Sequence, residues 1–417
     1  MPDAPAPRPA HGLRLALTAA LLLAAQAPSL AGDWPQWRGP TMLGYTDEKG
    51  LPTTWNAKTG ENVVWKAEMP KSHRPFSSPI VSRGRVFLTW SLADPVEHHV
   101  TCYDKADGKR LWDVTVPPGR LKLTDLRGGY SAPTPCADGE RVYAVFGSAV
   151  VAALDFDGKL IWRHELERIE FDVAMGSNPI LYQDTVIYLA DQLEKKSSLI
   201  AFDSKTGAVR WQALRPKVGF AHSTPAVVTI KGTPQLLISA SNAVQGVDPA
   251  SGRVLWWCKA TGDTASPAFG GTLVYSDSGR GGSPPGVCID PTGSGDVTAT
   301  HLKWTAEVRN DLSSPIIVGD YVYRLSGRSL QCLSLADGKV VYKEPLPGAH
   351  AWASPVATAD GLIYFATTGR TYIVRAGPTF EIVATNDIGD PHFSMPAVSD
   401  GCLYLRGPKN LYCIGKK

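Results

Sequence analysis

The sequence has little net charge. Charged residues make up 19% of it, and 42 Lys and Arg against 39 Asp and Glu leave a formal charge of +3. That balance excludes a basic field able to hold nucleic acid. With 43% hydrophobic residues the chain is also not disordered. Long apolar runs are scarce. The only one, residues 15–25, is about a dozen residues long, below the roughly 20 that a membrane-spanning helix needs. Beyond it, no stretch of real length shows helical periodicity. The seven cysteines form no CxxC or Cys/His spacing for zinc, and no metal-ligand set stands out. A P-loop, a dinucleotide fingerprint and a Ser-His-Asp motif are all missing.

The first thirty residues read as an address. Arg8 and Arg14 precede the apolar run, and Pro28-Ser29-Leu30-Ala31 puts small residues where a signal peptidase cuts. This predicts a signal peptide over residues 1–31, cleaved after Ala31. Leu30-Ala31-Gly32 is followed by Asp33 rather than Cys, so no lipid anchor is expected. The chain is then periplasmic or secreted. Residues 32–60 form a lead-in segment.

From there a single motif recurs. A triplet Ser/Ala-x-Pro, followed by an apolar run, places prolines at 79, 133, 179, 225, 267, 315, 355 and 396. A repeat of some 40 to 50 residues containing several short strands is the mark of a propeller blade. Within a unit, Ser177-Asn178-Pro179 leads into β-type runs at 185–189, 198–202 and 209–212. An Asx-type turn, Asp203 to Gly207, separates the last two. The final run of each unit carries an aromatic: Trp65, Trp112, Trp162, Trp211, Trp256, Trp304 and Tyr342, with Val383 as the exception. These tryptophans are structural wedges between blades. The last unit stops after three runs, so its missing outer strand is residues 61–68. Pairing it with 410–414 closes the ring. The expected fold is all-β: an eight-bladed propeller of four-stranded antiparallel blades, one domain over 61–417, closed by an N-terminal outer strand. About the turn at 406–409, Cys402 is set opposite Cys413, as a disulfide or as two packed thiols.

The unit from Ala201 through Asp203, Thr206 and Gly207 to Trp211 resembles the repeat of pyrroloquinoline quinone (PQQ) enzymes, and the other units match it more loosely. The resemblance covers about 61–417. It implies the propeller fold shared by the quinoprotein alcohol dehydrogenases and by BamB-like scaffolds, which bind no quinone and act in outer-membrane protein assembly. The dehydrogenases carry an adjacent Cys-Cys pair, a carboxylate cluster for calcium and a catalytic Asp. Here the nearest feature to the cysteine pair is Trp256-Trp257-Cys258. A CxxCH haem site and long insertions are also missing. The resemblance to the BamB-like branch therefore implies a non-catalytic scaffold with a protein or peptide partner, envelope proteins among the candidates, and no cofactor. The alternative is a PQQ- and calcium-dependent oxidoreductase with Asp311 or Asp263 as base.

The loops before each inner strand lie beside the central channel of a propeller. They are rich in His, Arg and aromatics, which fits a binding rim. The candidates are His73, Arg74 and Phe76, then Arg127 and Tyr130, then Phe220 and His222, then Arg309 and Asn310, then His350 and Trp352, and finally His392 and Phe393. A second loop set carries basic tips at Arg280, Arg328, Arg370 and Lys409. Together they could form a one-sided positive patch for an acidic partner. His98 and His99 read as surface residues of a blade-one loop.

Overall fold

The structure, a computed structural model, describes residues 1, 32–120, 122–123, 125–167, 176–192, 196–216, 218–260, 262–277, 285–307, 312–349, 352–391 and 394–416. Every described element is β. Eight antiparallel sheets follow one another in sequence order, each running from an inner to an outer strand. Blade one, for example, is Ile80–Ser82, Arg85–Ala93, Val96–Asp104 and Arg110–Val116. Blade four gains a fifth strand: Gly295–Asp296, from the turn of blade five, pairs in parallel with Trp256 and Trp257.

Blade eight closes the ring as expected. Val63–Glu68 pairs antiparallel with Asn410–Ile414, setting Trp65 opposite Cys413 and Glu68 opposite Asn410. Both ends of the propeller chain thus lie in one sheet, and no open edge separates blade eight from blade one.

Two registers differ from expectation. In blade two the inner strand begins Cys136–Ala137, so its triplet is Pro133-Thr134-Pro135 and its register proline is Pro135, not Pro133. The doubled proline conceals this in the sequence. In blade eight, Tyr404 pairs with Cys413 and Leu403 with Ile414. The hairpin turns one residue later than expected, because Pro408 takes the corner and the Asp390 carboxylate accepts the amides of Lys409 (3.2 Å) and Asn410 (2.9 Å). Cys402 is therefore diagonal to Cys413, not opposite. Both are thiols in mutual hydrogen-bond contact.

The outer-strand tryptophans pack against the turn of the following blade. Trp65, Trp112, Trp162 and Trp304 donate their indole N–H to a carbonyl there, at 2.9, 2.8, 3.0 and 2.8 Å. Glycine is required at the receiving turn. A Cβ on Gly207, at φ +72°, would lie 2.6 Å from the Trp162 ring. Trp256 departs from this pattern. It is fully buried and donates to Gln235 Oε1 of its own blade at 2.8 Å.

The lead-in segment fills the central channel from below and touches every blade. Trp34 exchanges two backbone hydrogen bonds with Val81 of blade one, and the Pro35 carbonyl accepts from Ala137 of blade two. Gln36 Oε1 accepts from Leu181 of blade three, and Met42 Sδ from Val227 of blade four. Arg38 donates to the carbonyls of Pro267 in blade five (3.0 Å) and Pro315 in blade six (2.7 Å). Gly44 and Thr46 bond Ala357 of blade seven, and Glu48 accepts from Gly401 of blade eight. Arg38 is fully buried, and burial lowers its pKa to about 10 despite the nearby Tyr45. Tight turns hold this plug. Gly39 sits at φ +74° against the Trp34 ring, where a Cβ would clash at 2.7 Å.

Candidate functional site

Above the plug the inner strands begin, and here the triplets make a second structure. The middle residue of each triplet points along the ring, and its backbone N–H donates to the side chain of its counterpart in the next blade. Ser78 donates to Thr134 Oγ1 (2.8 Å), Thr134 to Asn178 Oδ1 (2.5 Å) and Asn178 to Thr224 Oγ1 (3.1 Å). Thr224 donates to Ser266 Oγ (2.7 Å), Ser266 to Ser314 Oγ (3.0 Å) and Ser314 to Ser354 Oγ (3.1 Å). Met395 donates to Ser78 Oγ at 3.0 Å. One link of the circle is missing. Met395 has no oxygen to accept the Ser354 amide, and that N–H finds no acceptor among the described residues.

The ring bounds a cup of about 330 Å³ with Trp37 of the plug among its lining residues. The plug closes the lower end, so the described channel has one mouth. Phe76 and Trp352 line the cup and stack with centroids 5.6 Å apart and planes at 20°. They come from blades one and seven, so the pair reaches across blade eight. Trp352 is 44% exposed. Arg127, paired with Asp125 at 2.6 Å, and His222 also line the wall. The described lining residues include no Asp or Glu.

The sequence candidates divide accordingly. Phe76, Arg127, His222 and Trp352 converge on the cup. Phe220 stands edge-on to His222 at 5.7 Å. Arg74 is exposed, and burial together with Arg74 holds His73 below the ordinary histidine value. Tyr130 is not a rim residue. It is 2% exposed, accepts from Leu123 N at 3.0 Å and packs on His98. Of the basic tips, Arg328, Arg370 and Lys409 are exposed. Asp263 is buried beside Thr264, which donates to it at 3.0 Å. Arg280, Arg309, Asn310, Asp311, His350, His392 and Phe393 lie outside the described residues.

The histidine pair of blade one is not on a surface loop. Both residues sit in the strand Val96–Asp104. His98 is fully buried and stacked on Phe146 at 4.4 Å, with no partner for either ring nitrogen among the described residues. Burial lowers its pKa to about 3, aided by Arg163 and His99. His99 stacks on Trp90 and lies between Asp113 (3.0 Å) and Glu97 (3.2 Å). Burial acts to lower its pKa, but these hydrogen bonds outweigh it and raise it.

Sequence reasoning passed over the polar ring, Trp37 and Arg406. The ring had a readable signal. Every middle residue of a triplet except Met395 bears a side-chain oxygen, once blade two is read at Thr134.

Fold and site define an eight-bladed propeller with a plugged channel and a single-mouthed cup. The family described as outer membrane protein assembly factor BamB matches residues 96–344, more than half of the chain, and the chain belongs to that family. Solved structures give the same fold. BamB from Moraxella catarrhalis superposes with a TM-score of 0.60 at 15% identity, covering 87% of this chain and 98% of that one. The quinohemoprotein alcohol dehydrogenase ADHIIG from Pseudomonas putida HK5 gives 0.65 at 11% identity, covering 93% and 81%. A curated relative, the tetrathionate hydrolase of Acidithiobacillus ferrooxidans, is 21% identical over 350 residues; that match covers 74% of this chain and 65% of the relative's length. No helix among the described residues is long and apolar enough to cross a membrane.

Proposed function

We propose that this chain is a non-catalytic, extracytoplasmic binding protein that holds a protein, peptide or small ligand over its funnel. The observation that carries this reading is the cup: one mouth, an exposed aromatic pair, Arg127 and His222, and no carboxylate among its described lining residues. Aromatic and Arg anchors around a concave site are what binding surfaces use. Membership of the BamB family supports a protein partner. In this reading residues 1–31 direct export and are removed after Ala31, and residues 61–417 act as one domain.

The quinoprotein relatives favour a second reading, a PQQ- and calcium-dependent oxidoreductase. Donor-rich walls suit the oxygens of a quinone. Calcium takes six to eight oxygens, and the described lining offers no carboxylate for it. That reading rests on Asp263 and on Asp311.

Thermal-shift titration with PQQ plus Ca²⁺, run beside dye reduction with alcohols, separates the two. Ligand at a hundred times its Kd stabilises by about 2.7 kcal/mol. No shift and no turnover, with a photo-crosslinker at position 352 capturing an envelope protein that binds again when purified, is the expected result. A shift with dye reduction overturns the non-catalytic reading.

A further inference from the structure

The cup is asymmetric in a way that specifies its ligand. Each ring hydroxyl accepts a backbone amide from the preceding blade, and none donates to an acceptor among the described residues. Their protons remain available to the cup. At the one break, the Ser354 N–H is a further donor. It belongs to a residue only 4% exposed and has no acceptor among the described residues. Orphaned buried amides are rare in folded chains.

A cation lies directly behind this wall. Arg406 is 1% exposed, and its Nη1 donates to the carbonyls of Ser77 and Thr89, both at 2.9 Å. Among the described residues its Nε and Nη2 have no partner, and no carboxylate pairs with it. Ser394, which lines the cup, donates to the Arg406 carbonyl at 3.3 Å. Buried guanidinium groups are ordinarily paired with carboxylates, as Arg324 is with Asp277 in this chain at 2.8 Å. The cup wall between blades seven, eight and one therefore combines surplus donors with an uncompensated positive charge.

We propose that this wall is an oxyanion subsite that takes a carboxylate, carried either by a small free acid or by an acidic residue of a peptide. The Ser354 amide and the hydroxyls of Ser78 and Ser354 are its donors, and Arg406 supplies the field. This rests on the funnel being a binding site, and names the chemistry it recognises.

The test uses Met395. Asn178 already shows how an amide side chain completes a link: its Oδ1 accepts from Thr134 and its Nδ2 donates to Thr224 Oγ1 at 2.7 Å. Met395→Asn should close the ring in the same way, its Oδ1 accepting the Ser354 amide and so removing that one donor from the cup. Calorimetric titration of the full chain with citrate and with hexaglutamate, against hexaglutamine as control, should give binding by at least one acid. Citrate alone points to a small acid, and hexaglutamate to a peptide. Met395→Asn should weaken that binding about tenfold, the scale of one charge-assisted hydrogen bond, with a melting temperature equal to or above the parent's. Met395→Leu, which restores no acceptor, should bind as the parent does. If Met395→Asn fails to fold, Met395→Asp serves instead and should abolish binding. No binding of either acid, unchanged affinity in the Asn or Asp variant, or loss in Met395→Leu overturns the proposal. A partner captured at position 352 with no acid binding sinks this inference alone; acid binding with no partner captured leaves it standing without the protein-partner reading.

Discussion

The backbone amide of Met395 donates to the hydroxyl of Ser78 at 3.0 Å, joining residues 317 positions apart. It is the one polar-ring link that crosses from the last blade to the first. The outer-strand clasp closes the propeller at its rim, and this bond closes it at the channel. Ser78→Ala leaves a buried amide without an acceptor. It should lower stability by about 1–3 kcal/mol, seen as a lower urea midpoint at unchanged slope.

The clasp should matter more. Trp65 is 8% exposed, donates across to Lys105 O and lies in the strand that the N-terminal side contributes to blade eight. Trp65→Ala should cost about 3–5 kcal/mol. Deleting 61–68 should lower the single melting transition of the whole chain rather than fray one blade. A deletion variant that melts with the parent would show that the ring does not depend on its clasp.

His98 sets a limit in acid. Its ordinary value is 6.5, and burial takes it to about 3 in the folded chain. The unfolded chain then binds a proton that the folded chain refuses, so stability falls as pH drops below 6.5. The slope from this group is about 1.4 kcal/mol per pH unit until pH approaches 3. His98→Phe keeps the stack on Phe146 and removes the group. Melting curves between pH 7 and 4 should be flatter in the variant.

His99 works in the opposite direction. Its folded value is raised, so its contribution is present below pH 6.5 and is lost as pH rises through the folded value. His99→Gln should cost more at pH 5.5 than at pH 8.5. Equal cost at both would mean that Asp113 and Glu97 do not hold the charged ring.

Among the seven cysteines Cys402 should react first. It alone is partly exposed, and its hydrogen bond with Cys413 lowers its pKa against the opposing effect of burial. Cys102, Cys136, Cys288 and Cys332 are buried and pushed up. Mass spectrometry after a short iodoacetamide pulse at pH 8 should find Cys402 alkylated and those four intact.

What the sequence made legible follows what repeats. Strand–turn–Trp units recur, so blade number, strand order and the 61–68 clasp could all be read from them. Features that occur once could not. Nothing periodic marks Trp34, Gln36, Arg38 or Met42 as a plug, because each meets a different blade with a different atom. Pro133 satisfies the Ser/Ala-x-Pro pattern and Pro135 does not, yet the pairing of Cys136 with Tyr143 puts the inner strand after Pro135. His98 reads as polar and therefore exposed, yet aromatic faces cover it. Whether a loop residue faces the cup, as Phe76 does, or the core, as Tyr130 does, depends on packing that no spacing encodes.

The plug imposes an order of events. Residues 34–46 leave the ribosome before any blade exists, while their last anchor, Ala357, lies more than three hundred residues downstream. This segment, made before every blade, is therefore among the last to gain all of its partners. Arg38 has its two carbonyl partners only once Pro267 and Pro315 have been made. A chain that stops before blade seven has neither the Ala357 nor the Gly401 anchor of this strap, so the floor of the cup is complete only when the last two blades are.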